Sequence, residues 1–417
     1  MASVIHVVGA GLAGLSTAVQ LSQAGAEVRL YEAANHAGGR CRSYFDKSLN
    51  QKIDNGNHLV LSGNKAVEKY LGLIDATNTL IAPEQAEYPF IDLRTGERWV
   101  VRPDRGKIPW SLLSGSRRVP GCSMVEYLKG INLAVAGADK TVWSCLDHQG
   151  PLYQRFWEPL AVSVLNTDPK EAAANLLWPV LRETFGRGEQ ACRPLIAKKG
   201  LSDSFVDPAL SYLEKHSCNV MLGTRLKAIG LDGDRVRFLE FTDTRVDLEK
   251  GDRAVLAVPA NVAHSLLPDL TVPNEFRAIV NAHFRLPPAS SASTSFMGLV
   301  GGCGHWLFVR DDIASVTISA AEDLVEWSSE KVAQRLWPEV ISALDLAQIP
   351  LGNYRIVKER RATFAQTPAQ VKKRSGPKTQ WKNLIVAGDW TDTGLPATIE
   401  GSLRSGEAAA KMILDGL

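Results

Sequence analysis

Residues 7–40 read "VVGAGLAGLSTAVQLSQAGAEVRLYEAANHAGGR", and the fold depends on what this glycine-rich, nearly uncharged opening forms. No Asp, Glu, Lys or Arg precedes Glu27, so a membrane span has to be weighed. Three features oppose it. Residues 1–3 lack the basic start of a secretory signal. His6, Ser16, Thr17, Gln20, Ser22 and Gln23 interrupt the apolar run. Gly9, Gly11 and Gly14 form G-x-G-x-x-G between residues 3–8, a buried-strand pattern, and residues 12–24, a helix pattern with Leu12, Leu15, Val19 and Leu21 available to pack. Residues 27–31 read as a second strand.

In a strand, turn, helix, strand unit each glycine has its own task. Gly9 makes the tight turn, Gly11 lets a pyrophosphate approach the backbone, and Gly14 lets the helix pack on the strand. The helix start, Leu12 and Ala13, turns free N–H groups toward the phosphates. Glu32, followed by Ala33, ends the second strand where a carboxylate accepts hydrogen bonds from an adenosine ribose and repels a 2′-phosphate, which disfavours NADP. The plain alternative is that the glycines serve helix packing alone. After Glu32, "AANHAGGRCRS" adds a second glycine pair, with Gly39 next to Arg40, suited to wrap a loop over the diphosphate and supply a cation.

Near the other end, "NLIVAGDWTDTGLPATIEGSLRSGEAAAKMIL" reads as a strand at residues 384–387, then Gly388-Asp389, a turn, and a helix from about Thr398-Ile399. Together with the opening unit, this pattern resembles the flavin-dependent amine oxidase and polyene desaturase superfamily. The resemblance implies FAD, with Gly388 and Asp389 near the ribityl and pyrophosphate groups, and with no cysteine in this late segment the FAD is expected to be non-covalent. It also implies that the last helix points its positive N-terminus at the flavin ring, which stabilises negative charge on the reduced ring. "NVMLGTRLKAIGLDGDRV" resembles the segment that touches the adenine through the backbone near Arg225 and Leu226, and "GDRAVLAVPANVAHSLLP" resembles the strand that returns the chain to the substrate domain.

Within the superfamily, "DNGNHLVLSGN" at 54–64, "FWEPLAVSVLNTDP" at 156–169 and "GDWTDTGLPATIEGSLRSG" at 388–406 resemble the hydroxysqualene dehydroxylases, squalene-associated FAD-dependent enzymes of hopanoid biosynthesis. The likeness covers essentially the whole chain. It implies reductive removal of the hydroxyl of hydroxysqualene to give squalene. Carotenoid or polyene desaturases, and amine or protoporphyrinogen oxidases on the same scaffold, remain open alternatives, as does a flavin-holding or lipid-binding protein without turnover.

The chain has 417 residues, 45% of them hydrophobic, enough for two sizeable cores. The expected architecture is α/β: a Rossmann-type FAD-binding domain from residues 1–65, 195–262 and 375–417, interleaved with an α+β substrate domain from residues 66–194 and 263–374. The first insertion reads as mainly helical. The second, from "STSFMGLV" and "SVTISA", reads as sheet-forming. "VKKRSGPKTQWK" at 371–382 reads as a solvated linker. A formal charge of +2 argues against nucleic acid as a partner. Six cysteines without a C-x-x-C argue against a metal or disulfide framework and for a cytoplasmic protein, free or peripheral on the inner face of the cytoplasmic membrane.

Residues 93–120 carry seven Arg or Lys against two acidic residues, net +5, interleaved with Trp99, Ile108, Trp110, Leu112 and Leu113. That mixture suits an anionic membrane surface, the reservoir of a squalene-sized hydrocarbon. The plain alternative is a solvated hairpin whose Trp residues point inward.

No Ser-His-Asp or metal-ligand spacing is visible, so the chemistry falls to the flavin and an apolar pocket. Phe156, Trp157, Leu165, Trp178, Trp306 and Phe308 are candidates to line that pocket, each with ordinary core packing as its alternative. Asn57 and His58 lie in the segment that the resemblance brings to the flavin. His58 and Glu158 are the candidate proton donors: a His titrates near neutrality, and burial between aromatics would raise the Glu158 pKa. A structural hydrogen bond for His58 and an ion pair with Arg155 for Glu158 are the alternatives. In this reading the donor drives loss of water, aromatic faces steady the allylic cation, and reduced FAD quenches it, after which an external electron donor of unknown identity restores the flavin.

Overall fold

The computed structural model describes residues 3–287 and 296–416. Val4–Val8 is the central strand of a five-stranded parallel sheet in the order Asn219–Met221, Glu27–Tyr31, Val4–Val8, Arg253–Leu256, Leu384–Val386. Ile5, Val7, Leu30, Val255 and Val386 are all buried, as strands covered on both faces require. Helix Leu12–Gln23 covers one face together with the terminal helix Ile399–Asp415. The two helices touch closely: a Cβ on Gly406 would stand 2.3 Å from the Ala13 carbonyl oxygen, and the Ser16 hydroxyl donates to the Leu403 carbonyl at 3.0 Å. Three stretches separated by over a hundred residues each thus build one sheet.

Beyond Asn219–Met221 the chain forms the antiparallel sheet Leu226–Asp232, Arg235–Phe241, Arg245–Asp247. The larger sheet has seven strands in the order Tyr354–Phe364, Phe276–Arg285, Ile313–Ser319, Trp306–Arg310, Phe296–Val300, Tyr88–Asp92, Arg98–Val101. Its last two strands come from the first insertion, which is therefore not only helical. Tyr88–Asp92 pairs in parallel with Phe296–Val300, a contact across two hundred residues that no local pattern announces. Of "STSFMGLV", Ser293, Thr294 and Ser295 lie outside the described residues, and the remainder is the Phe296–Val300 strand.

Alternation sorts the faces of the larger sheet. Val280, Ala282, Phe284 and Val316 pack with Leu336, Trp337 and Val340 of helix Ser329–Ala343. The intervening Asn281, His283, Ser315 and Thr317 point the other way and are buried as well.

The stretch 371–382 is not a solvated linker. Arg374 is buried and its guanidinium donates to the Thr391 carbonyl, Trp381 is buried, and Val386 N–H donates to Pro377 O at 2.9 Å. The charge run hides one inserted arginine, and the segment lies along the Leu384–Val386 strand.

Candidate functional site: the glycine turn and the aromatic cluster

The three glycines of the first turn differ in what surrounds them. Gly9 has φ +105°, and a Cβ there would stand 2.3 Å from Ala257 O. A Cβ on Gly14 would stand 1.8 Å from Gly9 O and 3.2 Å from Ala257 Cβ, so that position is closed by the adjacent strand. A Cβ on Gly11 would meet nothing within 4 Å. Gly11 is also the N-cap of helix Leu12–Gln23, with no side-chain cap and no acidic residue in the first turn. The N–H groups at Leu12 and Ala13 therefore front an open space, the arrangement that receives a phosphate.

The second glycine loop lies on that turn. Gly38 N–H donates to Ala10 O at 2.8 Å, and a Cβ on Gly39 would stand 3.4 Å from Gly11 Cα. Arg40 follows, and its guanidinium binds the Asp389 carboxylate at 2.7 Å and the Ala362 carbonyl. The cation is thus fixed by Asp389, and the pair ties the early loop to the late Gly388-Asp389 turn. Gly388 N–H donates to Ser405 Oγ at 2.9 Å. Thr398 caps the last helix by accepting from Gly401 N–H at 3.1 Å, and Ile399 is buried. Glu400, in that helix's first turn, turns away: it accepts from Ala66 N–H and Val67 N–H at 3.1 and 3.0 Å and from Arg404 at 3.0 Å. Its charge stabilises the start of helix Lys65–Leu73 instead.

Glu32 is held by two backbone donors, Ala10 N–H and Ala34 N–H, both at 2.8 Å, while Ala33 is exposed. Each carboxylate oxygen keeps a lone pair for a further donor. The Glu32 carbonyl accepts from Thr224 N–H at 2.7 Å, which brings the 224–226 segment alongside. There the Arg225 carbonyl is engaged by Thr242 N–H at 3.0 Å, and Leu226 is buried. Open space at Gly11, an uncapped helix start and a fixed carboxylate one strand away fit a dinucleotide.

The two catalytic candidates part company. Burial pushes His58 down to about 4, so its ring is neutral at pH 7 and is not a ready acid. Glu158 is exposed rather than sandwiched, yet partial burial of its carboxyl, then Asp168, raises its pKa. Arg155 does not pair with it. That guanidinium binds Glu97 at 2.7 Å and lies over the Trp99 ring. Asn57 donates to Thr317 Oγ1 at 3.0 Å, a bond to the seven-stranded sheet.

The aromatic candidates do converge. Trp157, Leu165 and Phe308 are buried in one cluster, with Phe156, Trp178 and Trp306 packed against it. Phe156 and Trp157 come from the π-helical turn Tyr153–Trp157, which leads into helix Glu158–Leu165. Trp306 lies 5.4 Å from Phe90 and 6.1 Å from Phe296, and its indole N–H binds Ser163.

A polar ladder was missed. Thr317 donates to Asn281 Oδ1 at 2.8 Å, Asn281 donates to Asn55 O at 3.3 Å, and His283 Nδ1 lies 2.8 Å from Ser315 Oγ. The ladder holds the 54–58 loop, and hence His58, on the sheet. Its signal was polar residues two apart in "VNAHFR" and "SVTIS", which places them on one face of adjacent strands. Burial lowers the His283 pKa to about 4, against an ordinary value near 6.5. Below pH 6.5 the unfolded chain therefore binds a proton that the folded chain refuses, so stability is complete above pH 6.5 and declines as pH falls toward 4. For His283 alone the loss amounts to about 3 kcal/mol. Chemical denaturation at pH 7 and pH 5 should show this decline; His58 and His305, lowered to about 4 by the same burial, add to it, so His283→Asn should reduce it without abolishing it.

Comparison with known proteins now decides the family. The family described as flavin containing amine oxidoreductase matches residues 12–414. The hydroxysqualene dehydroxylase of Rhodopseudomonas palustris is 47% identical over 99% of both chains, and that of Sinorhizobium fredii is 45% identical over 98% of both. The chain belongs to the flavin-containing amine oxidoreductases, within the hydroxysqualene dehydroxylase group. Like other flavin-containing amine oxidoreductases it is a flavin-dependent enzyme. A solved putrescine oxidase shares the fold, with a TM-score of 0.70 at 14% identity, covering 100% of this chain and 99% of that one.

Proposed function

We propose that this flavin-containing amine oxidoreductase binds FAD non-covalently and removes the hydroxyl of hydroxysqualene to give squalene, a step of hopanoid biosynthesis. The observation that carries the reading is likeness to a hydroxysqualene dehydroxylase along 99% of both chains. Glu32 favours FAD over a 2′-phosphorylated dinucleotide. The late segment at 388–406 contains no Cys, His or Tyr to form a covalent link.

The balance is simple: an allylic alcohol takes up two electrons and two protons and yields the hydrocarbon and water. Reduced flavin, when bound, supplies the electrons. The chain's own part is to protonate the departing hydroxyl and shelter the allylic cation. Glu158 is the proposed proton donor, because its raised pKa keeps more of it protonated and because His58 is neutral. The faces of Phe156, Trp157, Trp306 and Phe308 steady the cation, each by about 2 kcal/mol when desolvated. Trp178 and Leu165 complete a wall that keeps water from recapturing it.

Flavin absorbance tests the reading. On anaerobic mixing, hydroxysqualene should reoxidise the reduced protein, whereas amines and polyenes should leave the oxidised protein unbleached. Bleaching by an amine or a polyene, with no response to hydroxysqualene, would replace this reading with an oxidase or desaturase.

A further inference from the structure

The structure divides the basic, Trp-bearing segment in two. Trp99 is buried, stacked 5.6 Å from Phe90, and takes no part in any surface. From residue 108 onward the apolar side chains turn outward: Ile108 is 56% exposed, Trp110 66% and Leu113 60%. The run continues past the segment that composition marked, with Val125, Leu128 and Ile131 exposed and Val135 at 80%. Among the described residues, five other large exposed apolar side chains, Phe45, Ile81, Leu222, Leu231 and Leu414, are scattered through the remaining sequence. An apolar run of this density is not ordinary surface.

The charges beside it are sorted too. Arg102 binds Glu87, Lys129 binds Asp147, and Arg118 spends its guanidinium on the Leu112 and Leu113 carbonyls, bracing the Trp110–Leu113 turn. Arg105, Lys107 and Arg117 are exposed, with no carboxylate within 4 Å among the described residues. None of the three is ion-paired among the described residues, although Arg105 stands near enough to Glu189 to help lower its pKa, and all three belong to the same stretch of chain as the exposed apolar side chains.

We propose that residues 108–135, with Arg105, Lys107 and Arg117, form a docking surface for an anionic lipid bilayer. Trp110 sits at the headgroup level, the leucine, isoleucine and valine side chains dip below it, and the three cations meet lipid phosphates. Charge complementarity selects the bilayer over a second copy of this chain, whose own ridge would present the same cations.

The inner side of the ridge ties docking to the site. Val119 and Leu133 are buried in the cluster that contains Trp157 and Phe308, and Tyr127 OH accepts from Val119 N–H at 2.9 Å. Gly130 lies directly on Trp157: a Cβ there would stand 2.6 Å from the indole ring. Docking would thus set the aromatic cluster just above the bilayer, where a hydrocarbon substrate dissolves. This last link rests on the polyisoprenoid reading; the docking itself does not, and vesicle binding reads it without turnover.

The test is flotation of the full flavin-loaded chain with phosphatidylcholine vesicles, with and without phosphatidylglycerol, alongside light-scattering mass. Wild type should float with the anionic vesicles only. Arg105→Glu, Lys107→Glu and Arg117→Glu combined should lower partitioning at least ~100-fold. Trp110→Ser, Leu113→Ser and Ile131→Ser combined should lower it at least ~10-fold. Both variants should keep flavin and melting temperature, and Leu231→Ser should bind as wild type. Wild type left in the aqueous fraction, flotation indifferent to both triple variants, or a dimer that the Trp110 triple variant dissolves would overturn the proposal.

Discussion

Gly11→Val is expected to give a folded protein that purifies without its yellow colour. At φ −71° and ψ 176° the backbone suits any residue, and the added Cβ meets no atom within 4 Å, so folding costs little. That empty volume is where the pyrophosphate of FAD would approach the helix start, and valine fills it. Gly14→Val has the opposite fate: its Cβ would stand 1.8 Å from Gly9 O, and the chain should not fold. Glu32→Ala lies between the two. It removes one charge-assisted acceptor and orphans two backbone N–H groups, for a loss of about 1.5–3 kcal/mol, or roughly 10- to 150-fold in FAD affinity. Flavin-to-protein absorbance with circular dichroism separates the three. A yellow Gly11→Val protein would remove the dinucleotide assignment from this turn.

Glu158→Gln is expected to slow dehydroxylation by about 10²- to 10⁴-fold, the usual worth of a general acid, with flavin content unchanged. Wild-type rate should fall as pH rises through the elevated Glu158 pKa, and the Gln variant should lose that dependence. His58→Asn should cost much less at pH 7, since a ring held near 4 has no proton to give there beyond its neutral N–H. A His58 variant as slow as the Glu158 variant would reverse the two roles.

The glycine turn was legible because its parts are local: strand, Gly9, Gly11, Gly14, helix and Glu32 occupy one short run of chain, and each obeys a short-range rule. The same holds for the Gly388-Asp389 turn and the helix start near Thr398. What the sequence hid is long-range. Arg40 finds Asp389 across 349 residues, a partner that the loop's own sequence does not announce. Tyr88–Asp92 and Arg98–Val101 join a sheet whose other five strands lie between residues 276 and 364, which made the first insertion look mainly helical. Composition counted Trp99 and Trp110 alike, and only packing sends one inward to Phe90 and the other outward. His58 was weighed by residue type and Glu158 by its aromatic neighbours in sequence, whereas their pKa values depend on neighbours brought in by the fold. The polar ladder was readable in principle, since Asn281 and His283 alternate with buried apolar residues, but a strand of that pattern does not say which loop it faces.

The measurement that tests the central claim most directly is a single turnover with product analysis. Photoreduced protein mixed anaerobically with hydroxysqualene should make one squalene per flavin and then stop until an external reductant is added. Hydroxysqualene left intact by reduced protein, while the oxidised protein desaturates a polyene or oxidises an amine, would contradict the account.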